Sequence, residues 1–176
     1  MKLTTYLILA LFLFNSCSPE KKIPSKAELN GFWGQQGEGE IVEFNDSLVI
    51  FYNSSSFNCY PYWKMDREEF NTGSPTVQVV DETTLTNQEG YTILTYKKID
   101  QPSVICTDLT EEQINSNSYN FETLWYTFND QYAFFKEREV DWGAIKTRYQ
   151  AKFTEETSPF EFYLLYWNKK TIILIL

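Results

Sequence analysis

The spacing of apolar and polar positions changes period once along this 176-residue chain. Between residue 30 and about residue 110 the apolar positions come in short runs bounded by turn residues, the pattern of strands. Gly31-Phe32-Trp33 opens the first run. Residues 40–44 and 48–52 form two more around Asn45-Asp46-Ser47, a hairpin-turn sequence. Residues 57–63 are a further candidate, weakened by Pro61 because proline cannot donate to a ladder. Residues 76–80 and 91–98 complete the set, separated by loops rich in Asn, Gly and Thr. Past residue 119 the period becomes helical. Phe121, Leu124, Trp125, Phe128, Tyr132 and Phe135 fall at i, i+3, i+4, i+7, i+11 and i+14, one stripe of a helix, and Trp142 continues it on the next segment.

These patterns predict an α+β chain: a small antiparallel β-sheet or partial barrel over 30–110, then a short three-helix antiparallel bundle over 119–167. The first helix is expected over 121–137 with Asn120 as its cap. Asp141 is expected to cap a second helix carrying Trp142, Ile145 and Tyr149. Ser158-Pro159-Phe160-Glu161 has the form of a capping box opening a third helix through Phe162, Leu165 and Tyr166. Residues 100–118 read as the boundary, with one helical turn at 110–114. The aromatic stripe is expected to be core. Tyr126 and Phe134 lie off it and are expected to face a partner.

The front of the chain reads as a secretory signal over residues 1–16. Lys2 supplies the positive end and residues 7–14 an apolar run too short to span a bilayer, which needs about 20 residues. Phe14-Asn15-Ser16-Cys17 resembles a bacterial lipoprotein box. That resemblance implies lipidation at Cys17 and a chain held in the cell envelope by a lipid anchor, its partner there being the membrane. Residues 17–29 then serve as a polar tether. The other reading is an ordinary cleaved signal with Cys17 as a stray thiol.

Composition narrows the chemistry. Fifteen basic against 24 acidic residues give a net charge of −9, which excludes nucleic acid as a partner and disfavours docking on anionic lipid through a basic patch. There is no histidine, so Ser-His-Asp and Cys-His catalysis are excluded. Cys59 and Cys106 are either a disulfide, permitted in an oxidising envelope, or two buried free thiols. They do not make a zinc pattern, and neither metal nor cofactor is expected. Glu137, Glu139 and Asp141 interleave with Lys136 and Arg138 and read as a solvated helix end. Glu38, Glu40 and Glu43 read as surface charge, Ser54-Ser55-Ser56 as a polar turn. Gly37-Glu38-Gly39 lacks the helix-opening context of a phosphate loop.

Phe121, Leu124-Trp125, Phe128, Tyr132-Ala133-Phe134-Phe135, Val140-Asp141-Trp142, Tyr149 and Glu161-Phe162 resemble the region before the catalytic core of S41 serine peptidases, the tail-specific or C-terminal processing peptidases with their tricorn-core-like members. Gly31-Phe32-Trp33 and residues 39–44 resemble the N-terminal portion of lipoprotein members of that family. The resemblance implies peptide hydrolysis by a core with a Ser nucleophile and a Lys base. In such proteins an Asp-Gly-His sequence follows the third helix; here Phe162 is followed by YLLYWNKKTIILIL. No catalytic residue therefore carries over. The expectation is a non-catalytic N-terminal region, inactive alone, from a reading frame shortened near codon 163, with residues 168–176 an apolar tail read out of frame. Its partner would be the missing catalytic domain. The alternative is an envelope lipoprotein that binds a small apolar ligand or a protein partner through its β domain, since Gly31-x-Trp33 also resembles the lipocalin opening motif.

Overall fold

A computed structural model describes residues 24–158 and residue 161. Seven strands form one antiparallel sheet: β1 (Gly31–Gln35), β2 (Glu40–Phe44), β3 (Leu48–Ser54), β4 (Cys59–Asp66), β5 (Val77–Asp81), β6 (Thr84–Glu89) and β7 (Thr92–Ile99). Their order is β4-β3-β2-β1-β7-β6-β5, so the chain builds two meanders that meet where β1 pairs β7. Helix α1 (Arg67–Gly73) links β4 to β5. Helices α2 (Glu111–Asn115), α3 (Asn117–Gln131) and α4 (Trp142–Gln150) follow the sheet. The fold is α+β.

Local chemistry sets the turns. The Asn45 carboxamide accepts the N–H groups of Ser47 (3.1 Å) and Leu48 (2.7 Å), closing the β2–β3 hairpin. Asp81 does the same for Thr83 at 2.8 Å between β5 and β6. Glu89 pairs with Thr92, which leaves Gly90-Tyr91 as a two-residue loop, and Gly90 has the positive φ (+60°) that such tight hairpins need.

The sheet is covered on both faces over β1–β3, so neighbouring residues of one strand, such as Ile41 and Val42, are both buried. Trp33, Val42, Phe44, Val49, Leu85 and Tyr96 pack on one face beneath Leu29 and Phe70. Ile41, Tyr52 and Cys59 pack on the other with Phe32, Ile50, Ile99 and Val104. Pro61 sits in β4 after all. β4 is an edge strand, and the ladder slips between Phe51 and Tyr52, so a residue without an N–H is tolerated.

Two elements depart from the sequence expectation. β6 reads TLTNQE and lacks an apolar alternation because only Thr84 and Leu85 are buried in it. Helix α1 was not expected in REEFNTG; Asp66 caps it by accepting from Glu68 and Glu69, and Phe70 holds it against Phe44 at 5.1 Å between ring centroids. The third helix of the bundle lies outside the described residues, apart from its opening pair, in which Ser158 N–H donates to Glu161 at 2.9 Å and Glu161 N–H donates to Ser158 Oγ at 3.2 Å. Cys17, the signal, the tether up to residue 23 and the apolar tail also lie outside them.

Two covalent or buried polar links fasten this frame. Cys59 and Cys106 form a disulfide across 47 residues. Arg67, 7% exposed, donates from Nη2 to the carbonyls of Lys26 (3.0 Å), Ala27 (3.3 Å) and Leu29, and its guanidinium lies 5.1 Å from the Phe44 ring centroid. It thus ties the 3-10 turn at Lys26–Glu28 to the sheet. Arg67→Ala is expected to cost about 2–4 kcal/mol by removing the donor that three carbonyls share, of which Lys26 O keeps a second donor, the Leu29 N–H at 3.3 Å, and Arg67→Lys to recover little, because an ammonium has no planar face to lay on the Phe44 ring. Urea unfolding of both variants checks this; a loss below about 0.5 kcal/mol for Arg67→Ala would refute it. The double variant Cys59→Ala/Cys106→Ala is expected to lose about 2–4 kcal/mol in the same assay, with the oxidised and reduced wild-type chain as reference.

Candidate functional site

The turn between β3 and β4 is where the helices attach. Ser55 folds it: its backbone N–H donates to Asn58 O at 2.8 Å, while its hydroxyl accepts from the N–H groups of Phe57 and Asn58, both at 3.2 Å. This leaves the buried Asn58 carboxamide pointing outward as a donor. Its Nδ2 reaches Tyr119 OH at 3.1 Å and Thr123 Oγ1 at 2.7 Å on α3. Lower on the same helix, Asp130 accepts from Ser56 N–H at 2.6 Å and Gln131 donates to Ser54 O at 3.2 Å. Tyr119, Thr123, Tyr126 and Asp130 therefore form a second stripe at i, i+4, i+7 and i+11, facing the sheet. Tyr126 belongs to it. Its ring stacks on Phe57 at 5.3 Å, 10° from parallel, so it does not look toward an outside partner. Phe134 does remain exposed, at 56%.

The aromatic stripe faces α4. Phe121 stacks on Phe153 at 4.6 Å and is buried with Tyr149. Trp125 and Trp142 lie 6.1 Å apart with rings 10° from parallel, and each indole N–H donates to the other residue's backbone carbonyl at 3.2 Å. Phe128 and Phe135 pack on Trp142 at 5.9 and 4.7 Å, and Tyr132 packs on Phe135 at 4.7 Å. Leu124 is half-buried. Lys146 bridges both stripes, pairing with Glu122 at 2.6 Å and lying 4.4 and 4.5 Å from the Trp125 and Tyr126 rings. The expected bounds and cap of α3 are corrected here: it starts at Asn117, capped not by Asn120 but by Ser116, whose hydroxyl accepts from Tyr119 N–H at 3.2 Å. The helix stops at Gln131, six residues before 137, so Tyr132 and Phe135 join the cluster from turns and not from a continued helical face. Asp141 caps α4, accepting from Ala144 N–H at 2.8 Å; Glu137 and Glu139 are exposed.

At the other end of this interface two adjoining cavities of about 560 and 260 Å³ share Gln35, Glu38, Gly39, Glu40 and Gln131. Three motifs that read as separate surface features meet here: Gly37-Glu38-Gly39, Glu40, and Ser54-Ser55-Ser56. Glu43 does not join them, since three residues along a strand turn it to the opposite face, where Tyr52 OH donates to it at 2.6 Å. Glu40 accepts from Tyr96 OH at 2.5 Å and from Tyr62 OH. Burial, then the bond to Glu40, raises both phenols above the ordinary tyrosine range, so both stay donors. Burial alone would push Asp130 up, yet the bonds from Ser56 and Asn129 outweigh it and hold the carboxyl below its usual range, hence ionised at neutral pH. Gln35, Asn58, Asp130 and Gln131 were not singled out in the sequence. Gln35 alone left a signal there, as a polar residue two along from Trp33 on the same strand face.

Glu38, Glu40 and Asp130 line the cavities beside Ile41 and Ile99, and Trp33 is buried in the core at 1% exposure and lines neither of them. The seven strands are ordered from β4 to β5 without pairing between those ends. The geometry thus gives a barrel for apolar ligands no support. Among the described residues no group of three or more His, Cys, Asp or Glu is placed to hold a metal ion.

Residues 115–168 match the family model of the Tricorn protease C1 domain. The matched stretch begins just before α3, takes in the Trp125–Trp142 pair and α4, and excludes the sheet. It relates the helical segment to the tricorn- and S41-like proteases. No curated protein and no solved structure matches the chain.

Gly39 tests the seam between sheet and helix. A Cβ there would sit well inside van der Waals distance of Ser54 O and the Gln131 carboxamide. Gly39→Ala is expected to cost about 2–3 kcal/mol and to raise hydrogen exchange at the C-terminal end of α3. Gly37 (φ +89°) has nothing within 4 Å of such a Cβ, so Gly37→Ala is expected to cost only the backbone term of about 1 kcal/mol and to leave α3 exchange unchanged. Equal effects of the two variants on α3 would show that the close approach does not hold the seam.

Proposed function

We propose that this chain is the non-catalytic N-terminal region of an S41-like serine peptidase lipoprotein, held in the cell envelope by lipid at Cys17. The lipid anchor rests on the sequence around Cys17 alone, and the observation that carries the peptidase part of the reading is the match of residues 115–168 to the Tricorn protease C1 domain. The packing of that segment supports it: α3 presents one stripe to the sheet and another to α4, a rigid wedge suited to positioning a neighbouring domain. Hydrolysis in this reading belongs to a core with a Ser nucleophile and a Lys base. Among the described residues, lysine meets a side-chain hydroxyl only where Lys97 donates to Thr84 at 2.7 Å, and those two are direct cross-strand partners in β7 and β6. Such a pair is a sheet contact. The sheet would hold the wedge away from the membrane, with the polar residues after Cys17 as tether.

Two measurements test the parts separately. Labelling cells with an alkyne palmitate analogue is expected to mark the wild-type chain and not Cys17→Ala; equal labelling would remove the lipid anchor. Antibody capture of the native protein from the envelope fraction is expected to bring down a serine-peptidase core, in the same polypeptide or bound to it. Casein hydrolysis should follow the core and not the purified chain. Capture of this chain with no core, or casein hydrolysis by the purified chain itself, would overturn the peptidase-module reading.

A further inference from the structure

The cavities between the β1–β2 loop and the end of α3 contain a feature that the peptidase reading does not use. Gln35 is 8% exposed and lines both cavities, yet among the described residues nothing hydrogen-bonds its carboxamide. Gln35 is not among the side chains whose polar atoms are buried without a partner, so its carboxamide is open to the solvent of the cavities and free to bond a ligand there. Around it the walls are acidic: Glu38, Glu40 and Asp130 line the cavities, and no lysine or arginine does. The groups already bonded to these carboxylates are neutral. Two phenols reach Glu40; a backbone N–H and a carboxamide reach Asp130. The negative charge is thus hydrogen-bonded but not compensated.

We propose that this cleft is a binding site for a primary ammonium group carried on a peptide, such as a lysine side chain. An ammonium is a compact charge with three rotatable donors, which suits acceptors that converge from separate elements; a planar guanidinium suits a single bidentate carboxylate. Gln35, which lines both cavities, has a carboxamide oxygen to offer as a neutral acceptor, and Glu38 is the exposed carboxylate that an incoming cation meets first. The larger cavity, about 560 Å³, has room for a side chain with flanking backbone. An anionic ligand would be repelled, and a neutral polyol would leave the three charges as they are. The site does not depend on the peptidase reading, and either can fail alone.

The test is fluorescence anisotropy on the full, disulfide-intact chain with a labelled serine heptapeptide bearing one central lysine, against the same peptide with norleucine. The lysine peptide is expected to bind at least about tenfold more tightly, and its affinity to fall when NaCl is raised. Glu38→Gln, at an exposed position, is expected to weaken lysine-peptide binding about threefold without altering the circular dichroism spectrum. Gln35→Leu is expected to weaken it about tenfold. Equal affinity for the two peptides, no saturable binding, indifference to Glu38→Gln, or saturable binding of a neutral trisaccharide in place of the lysine peptide would each overturn the proposal.

Discussion

The Asn58 carboxamide joins the two halves of the molecule, and the placement of everything beyond the sheet depends on it. Ser55 pins the turn so tightly that the Asn58 amide has no freedom to search, and both of its outward bonds land on α3. A 15-residue helix in water is marginal on its own. This one carries aromatic groups on two sides, so it cannot satisfy itself against a single neighbour. Asn58, with Phe57 under Tyr126, fixes one side. That leaves the other side, Phe121 and Trp125, free to receive α4.

The disulfide works on the same joint. Cys59 follows Asn58 directly and begins β4; Cys106 precedes α2 by a few residues and forms a parallel bridge with Cys59. Thr107 N–H donates to Cys59 O at 3.0 Å, and Lys64 pairs with Asp108 at 2.8 Å. The connection from sheet to helices is thereby laid along the edge of β4, just where the Asn58 turn waits for α3. A covalent link at this point shortens the search that α3 would otherwise make from the distant end of β7, where the chain leaves the sheet.

What was legible in the sequence follows the same division. The β2–β3 hairpin could be read because Asn45 acts within three residues, and the α4 start because Asp141 does. The aromatic stripe could be read because its members obey one helical period as far as Phe128. The features that escaped are those whose cause lies far away in the chain. β6 has few apolar residues because its partners on either side do the burying. Pro61 survives in a strand because β4 turned out to be an edge. Arg67 reads as a surface charge until the carbonyls of Lys26, Ala27 and Leu29, about 40 residues earlier, surround it. Tyr126 reads from the sequence as facing a partner because Phe57, its stacking partner, sits on a turn of the sheet.

The cleft is the clearest case of this kind. Glu38 and its flanking glycines come from the β1–β2 loop and Glu40 from the start of β2, Ser54, Ser55 and Ser56 from the end of β3 and its turn, Ser103 from beyond β7, and Asp130 and Gln131 from the last turn of α3. No local pattern contains it. It exists because Gly39 lets the loop approach Ser54 and Gln131 more closely than any side chain would allow, and because Asn58 has already set the height of the helix above that loop. Both walls are therefore positioned by the one interface, so the cleft's shape is as rigid as the contact between sheet and helix. A site built this way needs no loop to order on binding, since its ordering cost was met when the two halves docked.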